Sequence, residues 1–336
     1  MTEPVCIAID AMGGDNAPKV IIEGVRMVDP SLNVEIILSG SPEAISAFGE
    51  LPPNCRIEPA SEVVEMKESP SIALKKKKNS SIAVAVDMVK QGKASGLISA
   101  GNSGACMAFA FFGLGRLKGI SRPAIATLMP SHPTPTILLD VGANVDCKPE
   151  HLFHFGIMGK AYAENVLGID NPKVGILSIG EEDEKGNELT HESAKFFRNS
   201  GLNFIGNIEG RDIFNGRVNV AVCDGFVGNI LLKFGEGMAE EIVRTIEHEV
   251  TNFMHHAEIG NGDKATLKKL MSRMDYAEYG GAPLLGVNGN CIISHGRSSP
   301  KAIASAVKMA AMASCHDVNT SILEELGKVN TVNNAE

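Results

Sequence analysis

A chain of 336 residues with 44% apolar and 21% charged side chains has enough apolar surface for a large core and fits neither a fibrous nor a disordered class. Thirty-one Lys and Arg against 40 Asp and Glu leave a net charge of −9, so the molecule as a whole repels nucleic acid and anionic lipid, and either contact requires a local basic patch. The seven cysteines, no two closer than 24 residues, form no zinc knuckle or disulfide ladder and suit a reducing cytoplasm.

The amino terminus lacks a basic region followed by an apolar stretch, so no secretory signal is expected. The first apolar run, VCIAID at 5–10, reads as a buried strand ending in a corner that gathers Asp10, two glycines, Asp15 and Asn16. VEIILSG at 34–40 is a second strand. Lys75 to Lys78 precede a helix that begins near Ser80; the run reads as solvated surface or as the best positive patch for an acidic partner. Between Lys93 and Arg116 lie 22 residues without formal charge. That is long enough for a membrane span, but three serines, Asn102 and five glycines interrupt it, so a buried strand and helix is the reading. There SAGNSGA joins strand to helix, and its turn offers Ser99, Gly101, Asn102, Ser103 and Gly104 as a cradle for an anion, phosphate being the simplest.

AIATLM, TILLDVG, VGILSIG, VAVCDG and CIISHG read as further strands, with a helix over 151–168. Their ends carry polar corners: Asp140 and Asn144 in DVGAN, Lys185 amid four acids in EEDEKGNE, Asp224 and Asn229 in CDGFVGN, and His295 in SHGRS. Cys147, His151 and His154 are near enough in sequence for metal ligation, yet both histidines fall in an apolar helical segment, so packing or capping is the reading and no metal is expected. From about Phe226 to Tyr276 no strand candidate occurs. Leu267, Leu270, Met271 and Met274 form a helical stripe beside Lys268, giving a helical hairpin protrusion at about 240–278, before the last strand, for core, dimer, membrane or partner contact.

Alternating strands and helices predict an α/β fold, a three-layer sandwich with helices on both faces of the sheet and ligands outside the carboxyl ends of strands. No repeat or linker divides the chain, so a single catalytic domain over 1–336 is expected. Walker-A, GxSxG and HExxH strings are absent. GNGDKA at 260–265 follows a helix rather than a strand, the wrong context for a dinucleotide site.

Taken together, IAIDAMGGDNAP, SAGNSGA, LLDVGAN, EEDEKGNE, FIGNIEGRD with Glu209, CDGFVGNILLK and GGAPLLGVNG with IISHGRS resemble, in order and over nearly the whole chain, the bacterial phosphate acyltransferases of phospholipid synthesis. The resemblance implies a Rossmann-like fold akin to phosphate acetyltransferases and transfer of a long-chain acyl group from acyl carrier protein to inorganic phosphate. The acyl phosphate would feed a downstream acyltransferase. It also implies a homodimer in the cytoplasm, loosely attached to the inner face of the membrane, with no cofactor. Phosphate is itself the nucleophile, so no Ser or Cys elbow is needed. The expected mechanism places phosphate at SAGNSGA, Lys185 at the developing oxyanion and Asp224 with Asn229 as aligning groups on one common rim, with His295 completing the pocket. The helix carrying Met107, Phe109, Phe111 and Phe112 reads as core or as an acyl groove. Two rivals are an NAD- and metal-dependent decarboxylating dehydrogenase of related fold and a non-catalytic carrier-protein or membrane scaffold.

Overall fold

The computed structural model describes residues 4–254 and 280–333. Among these residues eleven strands form one sheet in the order β3-β2-β1-β4-β11-β10-β5-β6-β9-β7-β8. They are β1 (Val5–Asp10), β2 (Val34–Gly40), β3 (Cys55–Pro59), β4 (Gly96–Ser99), β5 (Ala124–Met129), β6 (Thr136–Leu139), β7 (Val174–Leu177), β8 (Phe204–Ile208), β9 (Val220–Val222), β10 (Ala282–Leu285) and β11 (Asn290–Ile293). The runs expected as strands are central ones, buried on both faces because helices cover both sides. One face packs on α1 (Lys19–Arg26), α6 (Pro149–Asn165), α9 (Pro300–Cys315) and α10 (Val318–Asn333), with Phe155, Tyr162 and Phe197 of α7 (Glu188–Arg198) among the largest fully buried side chains. On the other, α4 (Ser81–Lys90) and α5 (Ser103–Leu114) cover the first half of the sheet and α8 (Gly225–Met254) covers part of the second. The remaining α-helices of the described residues, α2 (Pro42–Ser46) and α3 (Pro70–Lys76), are short. This is the expected α/β sandwich.

Strand direction departs from expectation. β1, β2, β3, β4 and β11 run parallel to one another, and so do β6, β9, β7 and β8. Between these groups the ladder turns antiparallel three times, at β11–β10, β10–β5 and β5–β6. An odd number of reversals sets the two parallel groups in opposite directions, so their carboxyl ends lie at opposite edges of the sheet.

The uncharged stretch after Lys93 is β4 and α5, as the interrupting polar residues require. Among the described residues no helix is long and apolar enough to cross a membrane. Of the expected hairpin at 240–278, the first arm is the end of α8, which runs unbroken from Gly225 rather than starting near 240. Phe226, Ile230, Phe234, Met238 and Ile242 recur along it every fourth residue, and all are exposed, Phe234 at 66%. Leu267, Lys268, Leu270, Met271 and Met274 lie outside the described residues.

Candidate active site

The first corner is built at the carboxyl ends of β1, β4 and β11. Ser99 ends β4 fully buried; its hydroxyl donates to Asp10 Oδ2 at 2.7 Å and accepts the Gly101 N–H at 3.1 Å. Asp10 also accepts the Met12 N–H at 3.3 Å. Burial pushes its carboxyl above the usual range, against hydrogen bonds from Ser81, Ser99 and the backbone. Gly13 is obligatory: a Cβ there would sit 2.8 Å from the Gly101 nitrogen and collide with the Asp10 carboxylate. The Asp15 N–H donates to the Gly296 carbonyl at 2.8 Å and the Ser294 N–H to the Ser99 carbonyl at 2.8 Å. Three loops are thus laced together through their backbones.

Asn102 caps α5, its Oδ1 accepting the Ala105 N–H at 3.0 Å, while its Nδ2 donates to the carbonyls of Met66 and Glu68 at 3.0 and 2.9 Å. Every polar atom of that side chain is engaged, so Ser99 and Asn102 support the turn rather than offer free donors. What remains open is backbone: Ser103 and Gly104 start the helix, where N–H groups have no intrahelical acceptor, and Ser103 is exposed. His295 is exposed beside this turn, its Nδ1 accepting the Arg297 N–H at 3.1 Å, which leaves Nε2 to carry the proton of the neutral ring. Asn16 is exposed at the start of the β1–α1 connection.

The second corner gathers the ends of β6, β9 and β7. Asp140 is wholly buried and accepts five hydrogen bonds, from the backbone N–H groups of Ile125, Gly142, Ala143 and Asn144 and from Asn144 Nδ2, at 2.6–3.3 Å. Burial raises its carboxyl too, opposed by these bonds. The Asn144 carbonyl takes the Gly225 N–H at 2.7 Å, fastening the start of α8, where Asp224 accepts the Val227 N–H at 2.9 Å as a cap. Asn229, on the first turns of α8, is exposed and packs against Gly142.

Lys185 sits on a fixed backbone with a free ammonium. Its carbonyl is held by Asn207 Nδ2 at 3.0 Å and Ser178 Oγ at 3.2 Å. The next residue, Gly186, takes φ +121°, and a Cβ there would lie 2.9 Å from Ser178 Oγ. The acids around Lys185 are partly drawn elsewhere: Glu181 pairs with Arg211 and Arg217, and Asp183 with Arg198. No carboxylate of the described residues pairs with Lys185. Glu209 is engaged as well, 3.1 Å from Arg211 Nε.

Ser103 and Lys185 do not share a rim. They stand at opposite edges of the sheet, and β4 and β7 are six ladder steps apart, roughly 29 Å at a strand spacing of about 4.8 Å. The single-rim mechanism expected from sequence does not hold within one chain, because three antiparallel steps reverse the strand direction between the two corners.

A feature not anticipated from sequence is a strap, residues 61–79, laid over the first corner. Asn102 holds it at Met66 and Glu68, Pro70 lies 3.0 Å from where a Cβ on Gly104 would be, and Lys77 closes it with bonds to the Val63 carbonyl at 2.6 Å and Glu68 at 2.7 Å. The lysine run was visible in the sequence; that Lys77 is structural and its neighbours exposed was not.

Comparison with known proteins places this architecture. The family model described as fatty acid synthesis protein matches residues 5–321. A phosphate acyltransferase from Pelotomaculum thermopropionicum is 50% identical over 327 residues, covering 95% of this chain and 93% of its own, and one from Desulfitobacterium hafniense is 50% identical with 96% of each covered. Among solved structures, a phosphotransacetylase from Streptococcus pyogenes superposes with a TM-score of 0.61 at 15% identity, covering 93% of this chain and 94% of that one. A 4-hydroxythreonine-4-phosphate dehydrogenase from Klebsiella pneumoniae reaches 0.55 at 12%, covering 93% and 98%. At such identities the structures show the fold alone, and it is one shared by acyl transfer to phosphate and by dehydrogenation. The sequence relatives decide between them: the chain belongs to the fatty acid synthesis protein family, whose members at half identity here are phosphate acyltransferases.

Proposed function

We propose that this acyltransferase, acting as one catalytic domain, moves a long-chain acyl group from acyl carrier protein to inorganic phosphate. A phosphate oxygen attacks the thioester carbonyl, the C–S bond breaks, and the carrier thiolate leaves and takes a proton; acyl phosphate is the product. The observation that carries the reading is the half-identity to phosphate acyltransferases over nearly the full chain, joined to an open helix start at Ser103 and Gly104 braced by buried Asp10 and Ser99. Backbone N–H groups there hold the phosphate, the Ser103 hydroxyl adds a donor, and the His295 Nε2–H hydrogen-bonds the leaving sulfur, whose proton is the one that the attacking hydrogen phosphate gives up. Gly101 lets the two backbones approach closely enough to shape the cradle.

Lys185, Asp224 and Asn229 join the same transfer only from a second copy of the chain, since one chain holds them too far from Ser103. A homodimer supplies that copy, and the exposed apolar stripe of α8 supports self-association. Peripheral contact with the inner membrane face, and with the acyltransferase that consumes the product, follows from the family resemblance.

Incubating the protein with palmitoyl carrier protein, with and without phosphate, tests the reading. Thioester loss that requires phosphate, with one acyl phosphate formed per thiol released, is expected. Reduction of NAD instead, or carrier binding without thioester loss, overturns it.

A further inference from the structure

The strap over the first corner carries a local excess of positive charge on an anionic chain. Within residues 61–79 stand Lys67, Lys75, Lys76, Lys77 and Lys78 against Glu62, Glu65 and Glu68, a net charge of +2 on a chain of −9. The acids are largely engaged inward: Glu68 binds Lys77, and Glu62 accepts the Asn79 N–H at 3.0 Å. Lys67, Lys75, Lys76 and Lys78 are exposed and pair with no carboxylate of the described residues. On α3, Ile72 is 49% exposed and shares one helical face with Lys75 and Lys76, at i, i+3 and i+4. An apolar centre framed by ammonium groups is the complement of an anionic helical surface. Four free lysines repel one another, and nothing in the fold requires them there, since Lys77 alone closes the strap.

Position gives the patch a purpose. The strap is pinned to the start of α5 through Asn102 and Pro70, so whatever docks on α3 comes to rest beside Ser103. On an anionic protein an acidic partner is steered toward locally basic patches such as this one. We infer that Ile72 with Lys67, Lys75, Lys76 and Lys78 forms the docking surface for an acidic, acyl-bearing carrier protein, which presents its thioester to the first corner. The inference rests on the carrier-dependent reading above and names the surface through which it operates.

The test measures binding of palmitoyl carrier protein without phosphate, so that no turnover occurs. Lys75→Glu/Lys76→Glu/Lys78→Glu should weaken binding by about tenfold or more and flatten its dependence on salt between about 50 and 300 mM. At saturating carrier its kcat should stay within about twofold of the parent's, since docking acts before chemistry. Lys90→Glu/Lys93→Glu, at and beyond the end of α4, changes net charge away from the strap and should shift affinity by less than about twofold. Unchanged binding by the triple variant, or equal weakening by the control, overturns the docking surface. If the parent protein neither binds the carrier nor releases its acyl group when phosphate is added, the carrier-dependent reading itself fails, and the inference with it.

Discussion

The two corners solve the same problem, a polar turn at a strand end, in different ways. At the first, side chains hold backbone against backbone: Asp10, Ser99 and Asn102 are engaged in support, and the donors left over are the main-chain N–H groups of the helix start, with the Ser103 hydroxyl and His295 beside them. At the second, a single carboxylate, Asp140, organises the whole loop by accepting five hydrogen bonds, and the groups left free are side chains, Lys185 and Asn229. The first is a rigid cradle whose shape is its chemistry. The second is a mounted set of reactive groups that depends on one anchor.

That contrast is best broken at the anchor. Asp140→Ala leaves five donors without their acceptor and should destabilise the protein by about 3 kcal/mol or more, read by urea unfolding. Asp10→Ala orphans fewer groups and should cost less, about 1–3 kcal/mol; equal losses would erase the distinction. In catalysis, Lys185→Ala should lower phosphate-dependent turnover roughly a hundredfold with unfolding unchanged, and Ser103→Asp, which sets a carboxylate where the anion binds, should act chiefly on the KM for phosphate. Mixing these two chains at a phosphate concentration at which neither alone turns over sharpens the comparison, because the mixture, about half of it mixed dimers with one intact site each, should regain about a quarter of the parent activity if the corners meet across a subunit boundary. No recovery would mean that the corners work apart.

The smallest effect separates the corners by pH. His151 and His154 of α6 lie near the second corner, and burial lowers both below the ordinary histidine range; their Nδ1 atoms accept the N–H groups of Lys148 and Ser121. A lowered folded value means that the unfolded chain binds protons first. Their contribution is therefore complete above about pH 6.5 and is lost as pH falls through the folded values. Unfolding of His151→Gln/His154→Gln should be less sensitive than the parent's to acidification in that window. Asp10, whose carboxyl is raised, has the opposite sign: its burial penalty is absent below the usual aspartate range and grows as pH rises through the folded value, so Asp10→Asn should gain on the parent at higher pH.

Much of this architecture was legible because central strands are buried on both faces and so read as apolar runs. The three unread strands each break that rule. β3, CRIEP, and β8, FIGNI, are the outer strands of the sheet and only half-buried, while β10, APLL, is short and contains Pro283. The reversal of direction does have a signal in the sequence: six residues, three of them proline, join β5 to β6, too few for the crossover that parallel neighbours need. Site residues were legible as corner motifs but not as roles. Whether Ser99 and Asn102 hold a ligand or a loop depends on contacts with Asp10, Met66 and Glu68, residues distant in sequence that no local pattern announces.

The place of β11 in the sheet bears on how the chain comes off the ribosome. β11, made of residues 290–293, lies between β4 and β10, although β4 is completed nearly two hundred residues earlier. Until that late strand emerges, β4 offers an open edge to any neighbouring polypeptide, and the Ser294 and Gly296 contacts that finish the first corner cannot form. The enzyme therefore stays inert through almost all of its synthesis, and a message truncated before codon 290 yields a sticky fragment rather than a weak catalyst.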